Sequence, residues 1–491
     1  MAQAVPTADA GPSAPSALSP SQVERLHAAS MSLLAKTGLR LLDPQAVEIF
    51  KAHGVRTDGE LVFPDEAFLL ARLAQAPQSF VLEARNPAHD LALGGGERFW
   101  AAAYGCPAVV EADGRRRSST LADCVKLARL VQASPCFKIN GGILAQPNEL
   151  PPALAAPAMV YAALRQSDKA LFLVSSDAKQ FSQILELAAV PWGGLDALAQ
   201  APRALTLISS LSPLQFDRRA LESLRLSAAA GQAVSVSPGP MAGTTGPLTL
   251  AGNLALGNAE CLVGLALAQL VRPGAPVIYG LEATATDLAS GGVCVGGASS
   301  PVQTGAAKAL AAFYGLPCRS GGALTDAKTV SAQSGWESAV NLLAGAFWGV
   351  DLVIHAAGVL DAWAALSYEK FILDLELIDL IEKALAPLEV DEAALAVELA
   401  AEVGPGGTFL TRRETARQAR SAPWLSRLAQ RGPRDTGPTA EHLAAAVRRE
   451  EQRLLDAWRA PELAPEAVRD LEAVMRRLGA DRALLDSVVM T

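Results

Sequence analysis

From residue 99 onward, short apolar runs rich in Val, Ile, Leu and Phe recur at 99–104, 136–142, 170–176, 204–210, 233–238, 276–281, 316–322 and 352–358, each closing on small or polar residues. Apolar runs of this length bounded by turn residues predict buried strands. The intervening stretches, among them 121–132, 220–230 and 332–348, carry helical spacing. Eight strands alternating with helices predict an α/β chain of the (β/α)8 TIM-barrel class with N-terminal and C-terminal helical extensions. The competing architecture, a doubly wound open sheet, lacks a GxGxxG after its first strand. The pattern divides the chain into a disordered leader at 1–20, an N-terminal helical region at 21–95, the barrel at 96–360 and a C-terminal helical region at 361–491. In that last region helices are expected at 369–385, 392–403, 440–458 and 465–478. The most apolar stretch, 248–271, is interrupted by Asn253, Asn258 and Glu260, which reads as a buried helix and not a membrane span.

Composition narrows the function. The chain has 491 residues, half of them hydrophobic and 19% charged, with 42 Lys plus Arg against 50 Asp plus Glu. A net charge of −8 argues against nucleic acid as the main partner. Six cysteines without a CxxC pair are expected as reduced thiols in a cytoplasmic protein. The one basic stretch, 412–434, is either a solvated surface or a dock for an acidic partner.

In a barrel of this class the strand ends line the site. Those ends are Tyr104, Asn140, Ser175–Ser176, Ser209–Ser210, Ser237, Tyr279, Arg319–Ser320 and His355, a set without a carboxylate pair. Glycoside hydrolysis, which needs two facing acids, is therefore not expected. No His/Asp/Glu cluster suggests a metal, because His27, His53, His89 and His442 lie outside the strands. His355 reads as a site residue or a hydrogen-bonded core residue. Arg319 must offset desolvation by meeting a ligand carboxylate or an internal acid such as Asp326 or Glu337. The glycine-rich tract 290–297 is expected as a mobile loop over the mouth.

Several stretches together resemble the trimethylamine methyltransferase superfamily. They are Leu211-Ser212-Pro213-Leu214-Gln215-Phe216-Asp217, Gly246-Pro247-Leu248-Thr249 leading to Asn258-Ala259-Glu260, and Arg272-Pro273-Gly274-Ala275-Pro276-Val277. Further on come Thr325-Asp326-Ala327-Lys328, His355-Ala356-Ala357-Gly358, Ser367-Tyr368-Glu369-Lys370 and Glu402-Val403-Gly404-Pro405-Gly406-Gly407. The resemblance implies a barrel enzyme that passes a methyl group from a methylated amine to the cob(I)alamin of a partner corrinoid protein, with no tightly bound metal. The trimethylamine enzymes carry pyrrolysine, whereas this chain has only standard residues, which makes it similar to the branch acting on quaternary amines such as glycine betaine. The alternatives are trimethylamine, carnitine or proline betaine as substrate, or a non-catalytic amine-binding barrel. On this reading His355 is catalytic, and Arg319, Tyr104, Asn140, Tyr279, Ser176, Ser210, Ser237 and Asp326 bind the substrate. Tyr104, Tyr279 and Trp336 are candidate aromatic faces for the cation. The partners implied are the corrinoid protein and a small amine, with no membrane, and a homo-oligomer is left open.

Overall fold

Hydroxyl and carboxylate caps set where the helices begin. The Ser19 side chain accepts the Gln22 N–H while Gln22 returns to the Ser19 N–H, opening the helix Pro20–Thr37 with proline in its first turn. The same reciprocal pair is formed by Thr120 and Asp123 before Leu121–Ala133 and by Ser331 and Ser334 before Ala332–Phe347. Asp217 caps Arg218–Ala229. The computed structural model describes residues 16–419, 424–429 and 440–490. Most of the expected leader and part of the basic stretch 412–434 lie outside the described residues.

The strands form an α/β arrangement. Five run parallel in the spatial order Val277–Tyr279, Ala233–Val236, Ala204–Ile208, Ala170–Leu173 and Ile139–Gly141. Phe99–Trp100 and Leu352–Val353 form a separate parallel pair. Isolated parallel bridges join Trp100 to Phe137, Tyr279 to Cys318 and Arg319 to Leu352. Side chains alternate between two apolar layers, as the two-residue strand period requires. Ala170, Phe172, Leu205, Leu207, Ala233 and Ile278 point into one cluster, whereas Leu171, Leu173, Val234, Val236 and Tyr279 pack with the helices.

The N-terminal region departs from the expected all-helical reading. Besides the helices Pro20–Thr37, Pro44–Ala52 and Glu66–Leu73 it contains short strands, among them Leu39–Leu41, Leu61–Phe63, Phe80–Leu82 and Leu91–Leu93. Three-residue strands are too short to declare a period. The hairpin Phe80–Leu82/Leu91–Leu93 buries its leucines in the inner cluster, and Glu83 and Asn86 bond backbone carbonyls of Pro202 and Asp168, just before two of the parallel strands. It covers the amino ends of the strands, so the carboxyl ends are left for a site.

The apolar stretch near 250 is the helix Leu250–Val271, buried within the protein. Its polar residues have partners: Asn258 donates to Ser30 and to the Tyr314 hydroxyl and accepts from Tyr279, and Asn253 donates to the Pro240 and Thr284 carbonyls. Farther along, fully buried Lys370 and Asp374 form an ion pair. Asp374 accepts the Gly358 N–H at 2.9 Å, and Lys370 donates to Ser338, which itself donates to the Ala323 carbonyl. This network pins the segment that follows His355. The expected helix at 392–403 is two pieces, Glu392–Leu395 and Val397–Val403, divided by Ala396 in the left-handed region. The chain also adds a helix, Arg482–Met490, beyond the two amphipathic helices Ala440–Ala457 and Pro465–Arg477.

Candidate active site

Beyond the carboxyl ends of the strands an aromatic cluster meets a buried ion pair. The Tyr104 ring stacks on Phe172 with centroids 4.9 Å apart and stands edge-on to His355 at 6.3 Å. Gly142 makes room for it, since a Cβ there, on a backbone at φ +67°, would lie 2.6 Å from the Tyr104 ring. The Trp363 ring is also close to His355, with centroids 5.8 Å apart. It comes from the tip of the hairpin Val359–Leu360/Ala365–Leu366, where Asp361, Ala362 and Trp363 all have positive φ. Three consecutive non-glycine residues in that region are a costly conformation of the kind that collects at functional sites. Asp361 holds the tip in place through Lys328 and Arg116.

His355 is itself left-handed, at φ 58°. Its N–H donates to the Ala102 carbonyl and its own carbonyl accepts from Ala323, so both neighbouring segments hold the strained residue. Gly322 permits the approach: a Cβ there would sit 2.4 Å from the Ile354 carbonyl oxygen. Burial, and secondarily the positive charge of Arg319, hold the imidazole well below its ordinary pKa of 6.5. His355 is thus neutral, and its Nδ1 has no partner among the described residues.

Arg319 is 3% exposed and pairs through Nη1 with Glu282 Oε2 at 3.1 Å. Burial raises the Glu282 pKa, while Arg319 and the neighbouring Gly321 N–H and Ser320 hydroxyl oppose the rise. Arg319 Nε has no partner among the described residues. The internal acid that offsets its desolvation is therefore Glu282, not Asp326 or Glu337, and the site does contain a carboxylate. Glu282 went unread because it lies beyond the end of its strand, three residues after Tyr279.

The other expected residues divide. Ser176 is buried with its hydroxyl unpartnered, and Ser237 bonds only to neighbouring Ser235. Both stay candidates. Asn140 turns outward, donating to the Ala128 carbonyl and accepting from the Gly141 N–H, so both its polar atoms have partners. Tyr279 also faces outward, toward Asn258, as its odd position in the strand alternation requires. Asp326 accepts the Val295 and Gly296 N–H groups and clamps the glycine-rich loop. Trp336 is 60% exposed on an outer helix. Ser210 bonds with Ser212 to Glu260, which also accepts from the Leu214 N–H. Asn140, Tyr279, Asp326 and Ser210 thus have polar atoms bonded within the chain, and Trp336 lies on the exposed surface, so the structure does not bring these five into the cluster around His355.

Burial pushes Glu260 up to about 7 from 4.5 despite its three donors. A carboxyl whose folded pKa is raised stabilises the fold fully below its unfolded pKa and loses that stabilisation as pH rises through the folded value. Between pH 4.5 and about 7 the protein should lose about 3 kcal/mol of stability from this group. Denaturant melts across that window should show the slope, and Glu260→Gln should flatten it.

Parallel strands alternating with helices, with an aromatic and ion-paired cluster beyond their carboxyl ends, define an α/β enzyme. The chain matches the trimethylamine methyltransferase (MTTB) family over residues 2–481 and belongs to that family. It is 37% identical over 467 residues to the glycine betaine methyltransferase of Desulfitobacterium hafniense (strain Y51), covering 94% of this chain and 97% of that protein. It is 29% identical over 422 residues to the proline betaine:corrinoid methyltransferase of Eubacterium limosum, covering 83% and 86%. The fold is that of the hydroxylamine complex of MtmB, solved by crystallography, at a TM-score of 0.50 and 11% identity over 90% of this chain and 89% of that one.

Proposed function

We propose that this protein removes a methyl group from a quaternary amine bearing a carboxylate, of which glycine betaine is the type, and delivers it to a corrinoid carried by a separate protein. The observation that carries the reading is the juxtaposition of Tyr104, His355 and Trp363 with the Arg319–Glu282 pair. A zwitterion carries the same two charges as that pair. Arg319 Nε, still unpartnered, is available to a substrate carboxylate, and the aromatic edges and faces receive the ammonium end. The pairing order also supports the (β/α)8 barrel: sheet, two-stranded pair and three bridges run in succession and return to their starting strand.

A corrinoid docked over these residues would supply, as Co(I), the nucleophile that takes the methyl group. His355 Nδ1 and Trp363 Nε1 are buried polar atoms with no hydrogen-bond partner among the described residues, so each has bonding capacity left for a group bound in the cluster. As the methyl leaves, nitrogen keeps the bonding electron pair and becomes a neutral tertiary amine, so no proton has to reach it. The positive charge on nitrogen is lost in the transition state, and a tight grip on the cation would favour the ground state instead. Aromatic contacts at about 0.5–2 kcal/mol orient it without that penalty. Glu282 would grip harder, and its ion pair with Arg319 moderates this. Neutral His355 adds no repulsion to the incoming cation.

Calorimetry tests the reading. Glycine betaine is expected to bind more tightly than tetramethylammonium, and trimethylamine more weakly than both. Equal affinity for the first two would remove the carboxylate from recognition.

A further inference from the structure

Two apolar surfaces lie uncovered on the same chain. Along the helix Ala332–Phe347, Trp336, Val340, Leu343 and Phe347 are 43–60% exposed at a spacing that lines one face. The second surface follows the helix Tyr368–Ala384: from 382 to 419 no residue is buried. Yet this arm carries Leu388, Val390, Leu395, Val397, Phe409 and Leu410 at 46–86% exposure. Its helices, of 4, 7 and 6 residues, bury no side chain of their own. Helices that short do not persist in water unaided.

We propose that the cover is a second copy of this chain, the arm of each copy lying over the striped helix of the other. Ten half-exposed large side chains, at roughly 100 Å² each, present on the order of 1,000 Å² per copy, above the ≈800 Å² per partner of a stable interface. Charge agrees with this pairing. Residues 385–411 contain five acids and no Lys or Arg, whereas Arg115, Arg116 and Lys328, each also paired within its own chain to Asp113 or Asp361, keep side chains 52–76% exposed. Both halves belong to one chain, so the exchange is self-complementary and closes as a twofold dimer. A corrinoid protein that leaves after each turnover is served by a smaller, more polar surface. That last point alone rests on the proposed reaction; the test reads association and not activity.

Sedimentation of the full chain at micromolar concentration should show two copies. Val340→Glu/Phe347→Glu on the helix, and separately Leu388→Asp/Leu410→Asp on the arm, should each give single chains with unchanged circular dichroism. Mixing the two variants pairs an intact arm with an intact helix, and association should return in the mixture. A single-chain wild type overturns the proposal, as does a dimer indifferent to both pairs of substitutions. Failure of the mixture to associate overturns the arm-to-helix pairing.

Discussion

Replacing His355 by alanine is expected to lower kcat with glycine betaine by about 100-fold or more, because a site residue held in strained backbone is there to fix geometry, and small misplacements cost on that scale. The strain is expressed at φ 58° and is sustained by the Ala102 and Ala323 backbone bonds, by Gly322 and by the Asp374–Gly358 contact. His355→Gln keeps a polar group near Nδ1 and should retain more activity than the alanine variant. Stopped-flow turnover with thermal melts run alongside separates a site effect from a folding effect. Activity should show no limb near pH 6.5, since the imidazole is already neutral there and protonates well below that pH. Unchanged turnover in both variants would return His355 to the core.

The second large effect concerns the ion pair. Arg319→Met leaves Glu282 buried without its countercharge, and breaking such a pair costs about 3–5 kcal/mol. The melting temperature should fall accordingly. Arg319→Met/Glu282→Gln removes the stranded charge and should recover most of that stability. It should not recover glycine betaine binding, because a charge-assisted hydrogen bond to the carboxylate, about 1.5–3 kcal/mol, is still missing. Affinity for glycine betaine is therefore expected to drop roughly 10- to 150-fold in the double variant while tetramethylammonium is little affected. Equal losses on both ligands would assign Arg319 to structure alone.

The strand positions were legible because buried parallel strands read as apolar runs, and all eight expected places are extended or bridged. The seventh, 316–322, is held only by bridges at Cys318 and Arg319. Its proline and glycines limit regular pairing. Which side chains enter the site was harder to read. Tyr104, Arg319 and His355 meet there, but Tyr279 and Asn140 sit on alternating positions that face the helices. Register, not residue type, decides that, and a shift of one residue reverses it. Glu282 and Trp363 lie in loops beyond the strands, where no period announces them. Trp363 carried one sequence signal: it closes a short polar-to-aromatic turn a few residues after His355.

The most direct measurement mixes the protein, glycine betaine and free cob(I)alamin under anaerobic conditions and follows dimethylglycine by proton NMR. One dimethylglycine is expected for each cob(I)alamin consumed, with trimethylamine giving none. Tight glycine betaine binding with no dimethylglycine, from cob(I)alamin or from a reduced corrinoid protein, would contradict this and leave a binding protein on the same fold.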